Sequence, residues 1–98
     1  MKLGTITTTW GKADIVSTGT YSLDNSPVVQ LFLKDGEPLM RLTVCVEGSN
    51  LQPGEILVKS WSENEPFIAP ILALGIFEDT GRVVSSGFVN AEVWRKIS

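Results

Sequence analysis

The chain has 98 residues, 43% of them apolar and 19% charged, a globular balance at a length that leaves room for one core rather than two. It contains no histidine and a single cysteine, which excludes Ser-His-Asp and Cys-His catalysis within one chain, the usual zinc sites and an internal disulfide. Eight basic against eleven acidic side chains give −3, the wrong sign for a nucleic-acid footprint, so no direct nucleic-acid binding is expected.

That charge is regional. Residues 47–81 set Glu47, Glu55, Glu63, Glu65, Glu78 and Asp79 against Lys59 alone, a net −5, while residues 82–98 carry +2. The N-terminus opens no apolar leader and no run approaches ~18 apolar residues, so neither a signal peptide nor a membrane span is expected. An unpaired Cys45 suits a reducing compartment, and a single domain, 1–98, in the cytoplasm is the simplest expectation.

In chain order, Leu3–Trp10 and Ile15–Tyr21 are rich in Thr, Val, Ile and aromatics and predict two strands around a Gly11-Lys12 turn. Residues 28–34 and 37–46 flank Asp35-Gly36, a dipeptide suited to a two-residue type I′ hairpin turn. Such a turn pairs Lys34 with Glu37, Phe32 with Leu39, Leu31 with Met40, Gln30 with Arg41, Val29 with Leu42 and Val28 with Thr43. Leu31, Met40, Val29 and Leu42 then form a core face. The opposite face stays partly apolar, to be covered by a helix or a second subunit. Cys45 falls on that mixed face and reads as a packing residue.

After a loop at 48–54, residues 55–59 predict a short strand. Ser62-x-x-Glu65 then has the pattern of a capping box, followed by Phe67, Ile68, Ile71, Leu72 and Leu74 at helical spacing and Gly75 as a stop. Pro66 fits a first turn, whereas Pro70 is interior, so the helix at about residues 63–74 is expected to be kinked or short. Thr80-Gly81-Arg82 and Ser85-Ser86-Gly87 read as turns, and 88–94 as a last strand with Val89, Ala91 and Val93 on one side. The fold class expected is α+β: a mainly antiparallel sheet with one helix.

Paired carboxylates are the remaining acid-base candidates, but adjacency on a helix cap gives them no separation in pKa, so no catalytic residue, metal site or cofactor is expected. The Thr80-Gly81-Arg82 turn could hold an anion; the plainer expectation pairs Arg82 with Glu78 or Asp79. Trp10, Trp61 and Trp94 are large anchors for a core or an interface, and Trp61 stands among polar residues ahead of the helix.

Pro53-Gly54-Glu55, the run Lys59–Glu65, Gly75-Ile76, Thr80-Gly81-Arg82 and Ser86–Val89 together resemble a family of small bacterial, plasmid and phage proteins sharing a domain of unknown function, over about residues 40–93. The resemblance brings no catalytic residues. It implies a small accessory protein of mobile elements, acting by stoichiometric binding, for example against a CRISPR defence system. With the residue inventory, it makes a non-enzymatic binding protein the leading expectation. Trp61, Glu63, Glu65, Glu78, Asp79 and Arg82 would face a basic protein surface, such as that of a host nucleoprotein complex. A small-ligand or nucleotide-sequestering protein, possible as a homodimer, and a phage structural subunit are the alternatives.

Overall fold

The computed structural model describes residues 1–97. Seven strands and one helix follow one another as β1 (Lys2–Thr8), β2 (Gly11–Thr20), β3 (Pro27–Leu33), β4 (Pro38–Arg41), β5 (Glu55–Val58), a 3-10 turn (Ser62–Asn64), α1 (Glu65–Ala73), β6 (Phe77–Ser86) and β7 (Val89–Lys96). All strand pairs are antiparallel, in a four-stranded sheet ordered β1-β2-β3-β4 and a three-stranded sheet ordered β5-β7-β6. The α+β class expected from the sequence is therefore the class observed.

Period-2 alternation places Ile6, Ala13, Ile15, Val29 and Leu31 of the first sheet on one buried face. They join Ile56, Val58, Phe77 and Trp94 of the second sheet in a single cluster, closed by Phe67 and Ile71 of α1. The two sheets thus share one core. Beyond the end of β4 they are also stitched together, because Thr43 bridges Val58, with Lys59 N–H on Leu42 O at 2.8 Å and Val44 N–H on Leu57 O at 3.0 Å. The helix packs against β1 and β6 at the other side. Gly4 in β1 permits that approach, since a Cβ there would stand 3.2 Å from Leu74 Cδ1.

A second apolar cluster lies on the far face of the three-stranded sheet. Leu57, Ala91 and Val93 form it, covered by Val44, Val46 and Leu51 of the crossing loop, by Trp61 and by Val84. Both faces of β5 are consequently buried, which explains why Ile56-Leu57-Val58 is a continuous apolar run rather than an alternating one.

Several local expectations are corrected. The first hairpin turns at Thr9-Trp10 and not at Gly11-Lys12, held by Thr8 Oγ1, which donates to Gly11 O and accepts Trp10 N–H. At Asp35-Gly36 the loop is one residue longer than a type I′ turn: Gly36 N–H returns to Leu33 O, and Leu33 N–H bonds Glu37 O. Asp35 keeps a negative φ and only Gly36 (φ 87°) is left-handed, the pattern of a type I turn with a G1 bulge. Phe32 accordingly faces Pro38 instead of Leu39, while Leu31–Met40 and Gln30–Arg41 pair as expected. The strand expected to run to residue 46 ends at Arg41, because the chain from Leu42 onward turns to β5. Thr43 therefore does not pair with Val28; its hydroxyl accepts the Val29 N–H at 3.1 Å. The mixed outer face of β3 is not covered by the helix, which lies on the core side.

The capping box does not form either. Ser62 has φ 60° and starts the 3-10 turn, so it lacks the extended backbone of an N-cap, and neither Trp61 nor Asn64 supplies a side-chain cap. Pro66 does occupy the first turn of α1, Pro70 is interior, and Gly75 follows the last turn as expected. Thr80-Gly81-Arg82 is not a turn between strands but a bulge inside β6, where Thr80 Oγ1 donates to Val93 O at 2.7 Å. The next turn is Gly87-Phe88, one residue later than expected.

Candidate functional site

The six residues singled out from the sequence fall at two places. Trp61, Glu63 and Glu65 stand around the 3-10 turn and the first residue of α1, while Glu78, Asp79 and Arg82 belong to β6. Trp61 is half-buried against the outer apolar cluster. Beside it Glu63 is held by the Lys59 ammonium at 2.6 Å, and that contact, with the Ser62 hydroxyl after it, lowers its carboxyl to about 2. An NMR titration of the side-chain carboxyl should place Glu63 near that value, and Lys59→Met should return it toward the ordinary glutamate value of about 4.3.

On the three-stranded sheet, Glu78 is ion-paired with Arg95, which lies opposite Glu55 of β5. Arg82 reaches across β7 to the same Glu55, Nη1 to Oε2 2.8 Å, so it does not pair with Glu78 or Asp79 as expected. Only the strand order β5-β7-β6 brings residues 55 and 82 together. Four charges of alternating sign, Glu78, Arg95, Glu55 and Arg82, therefore run across the sheet. Glu55 is 7% exposed and also accepts the Gln52 N–H at 2.8 Å. That backbone bond first, and Arg82 after it, hold its carboxyl below the usual range against the opposing effect of burial.

Because the folded value of Glu55 is depressed, the stability it contributes is complete above the unfolded glutamate value of about 4.3 and is lost as pH falls through the folded value. Arg82→Ala should accordingly lower the urea midpoint more at pH 7 than at pH 3. Equal losses at both pH values would contradict the pairing.

Three of the six carboxylates in 47–81 are thus neutralised inside the fold, and Asp79 accepts the Gly81 N–H at 2.9 Å. The sequence acidity is not a continuous free surface. Glu65 remains exposed at the helix start, without an ion pair among the described residues.

Glu65 adjoins the feature that sequence reasoning passed over in favour of Trp61. Trp10, at the tip of the β1–β2 hairpin, is 66% exposed, and its ring centroid lies 6.1 Å from that of Phe67. With Ile6, Pro66 and Pro70 these rings line an apolar groove of about 480 Å³. The prolines shape it, because neither has an N–H to present and each offers a ring to the groove. Glu65 directly precedes Pro66, one of the lining residues, in the chain, and Lys12, exposed and unpaired among the described residues, lines a neighbouring hollow that shares Trp10. The signal available in the sequence was a tryptophan between Thr9 and Gly11, in a turn too short to bury it.

The half-buried Cys45 thiol is pushed up, chiefly by burial and then by Asp24, and so stays protonated at neutral pH. Among the described residues no three Asp, Glu, Cys or His side chains converge in a way that could hold a metal ion, and no helix is long and apolar enough to cross a membrane. Set against protein families, curated proteins and solved structures, the chain matches none.

Proposed function

We propose that this protein is a non-enzymatic domain that acts by binding a protein partner, with the Trp10 groove as its docking surface. The observation that carries the reading is a tryptophan two-thirds exposed, tilted beside Phe67 on an open apolar groove that two prolines also line. Burying such a ring is the usual source of interface hot-spot energy, and a groove already formed loses little entropy on binding. The occupant that fits is a segment offering one apolar side chain to the groove and one basic side chain to Glu65.

That charge preference agrees with the expected basic partner, although it now rests on Glu65 rather than on the whole acidic set. A bacterial nucleoprotein defence complex, the partner expected from the sequence, would offer such a surface, and this protein would then be its antagonist. The nucleotide-sequestering alternative loses support, because Arg82, the cation it relied on, is engaged by Glu55.

Selection of displayed peptides on the wild-type chain, with Trp10→Ala as the counter-target, tests the reading. An enriched pattern of an apolar residue near Lys or Arg is expected, with Glu65→Lys weakening binding about tenfold, the equivalent of about 1.4 kcal/mol. Enrichment that is indifferent to Trp10, or that favours acidic peptides, would overturn it.

A further inference from the structure

A second concavity lies where the two sheets part. Beyond Arg41 the chain leaves β3 to bond β5, while the segment from Lys59 runs off into the 3-10 turn, and between them opens a cleft of about 700 Å³. Leu39, Met40 and Val44 form apolar walls; Gln30, Arg41 and Lys59 bring polar groups. Consecutive strand residues point to opposite faces, so a cleft lined by all four residues of β4 follows the edge of that strand rather than either face.

Its electrostatics differ from those of the three-stranded sheet. Arg82 and Arg95 are both ion-paired, whereas Arg41 has no ion pair among the described residues and its side chain is exposed. Gln30, its direct cross-strand neighbour, makes no side-chain hydrogen bond there either. Lys59 is already matched by Glu63, so the cleft keeps one uncompensated positive charge in a chain of net −3. One main-chain group is available as well. Leu42 N–H bonds Val29 O, so by the alternation of an antiparallel ladder Arg41 turns its own N–H and C=O away from β3. Asn64 takes that carbonyl, and the N–H is left at the open edge.

We infer that this cleft binds an extended peptide segment carrying an acidic side chain. The carboxylate would be received by Arg41 and Gln30, the peptide backbone by the β4 edge, and neighbouring apolar side chains by Leu39, Met40 and Val44, which is recognition by strand addition. A second copy of β4 is a poor occupant, because antiparallel pairing would bring two Arg41 residues to one small edge.

Cys45, the one cysteine of the chain, also lines the cleft and reports on its occupancy. The test measures alkylation of Cys45 in the full chain with saturating blocked heptapeptides of valine and threonine around a central glutamate, or around a central lysine. The glutamate peptide is expected to slow the reaction about tenfold and the lysine peptide to leave it unchanged, with Arg41→Glu exchanging the two preferences. Because a gained preference for lysine cannot come from misfolding, the exchange separates binding from damage. Equal protection by both peptides, protection by neither, or protection by free glutarate or inorganic phosphate as strong as that by the peptide would overturn the inference. Trp10→Ala is expected to leave the protection intact, so the outcome does not depend on the Trp10 groove.

Discussion

Alanine in place of Trp94 is expected to lower the free energy of unfolding by about 3–5 kcal/mol, a shift in Tm on the order of 20 °C for a domain of this size. The reason is position as much as size. Trp94 is fully buried on the central strand of the three-stranded sheet, 6.1 Å from Phe77 between ring centroids, and belongs to the cluster that both sheets and α1 share. Its removal leaves a cavity that rigid strands on two sides cannot close. Its indole N–H also donates to Glu92 at 3.0 Å, and that carboxylate would lose its donor. Trp94→Phe should cost less, since most of the packing survives. Urea unfolding followed by far-UV circular dichroism measures each loss without relying on tryptophan emission. The tryptophans should rank by burial, with Trp61→Ala intermediate and Trp10→Ala smallest. A Trp94→Ala loss within about 1 kcal/mol would mean that the sheets do not depend on this shared core.

The same comparison separates what the sequence made legible from what it did not. Periodicity and turn residues identified most strands, the single helix and the core face of the β3–β4 hairpin. The hairpin is instructive because its register was right for an incorrect turn. The loop Lys34-Asp35-Gly36 holds one residue more than a type I′ turn, and a bulge at Leu39 absorbs the difference, so the pairs Leu31–Met40 and Gln30–Arg41 are recovered. Local rules see the turn or the register but not this compensation. Long-range polar contacts were not legible. Glu55 and Arg82 are 27 residues apart and meet only because β7 lies between β5 and β6. Charge counting along the chain therefore described an acidic region that folding largely neutralises. Trp10 was recognised as a candidate anchor, but polar neighbours drew attention to Trp61, which packs on the outer cluster and is the less available ring.

Asn64 shows the same limit with a larger consequence. Within Ser62-Glu63-Asn64-Glu65 it resembles an ordinary cap residue, yet it is 1% exposed. Its Nδ2 donates to Arg41 O at 2.8 Å and to Lys59 O at 3.0 Å, two carbonyls that the diverging strands leave without backbone partners. One side chain thus closes the fork between the two sheets. Asn64→Ala should cost about 1–3 kcal/mol, because two part-buried acceptors lose their donor while the unpartnered Oδ1 is removed with it. Asn64→Asp is the sharper variant. It keeps the shape but, once ionised, has no proton to donate and sets a negative charge against two carbonyl oxygens. Its folded carboxyl is therefore raised above the unfolded aspartate value of about 3.9, and the native state holds the proton longer than the unfolded chain does. Stability must then fall as pH rises from about 4 through the folded value, the reverse of the dependence expected from Glu55. Urea midpoints of wild type and Asn64→Asp should lie closest at acid pH and separate toward neutrality. A constant gap across that range would show that the side chain fills space at the fork without bonding across it.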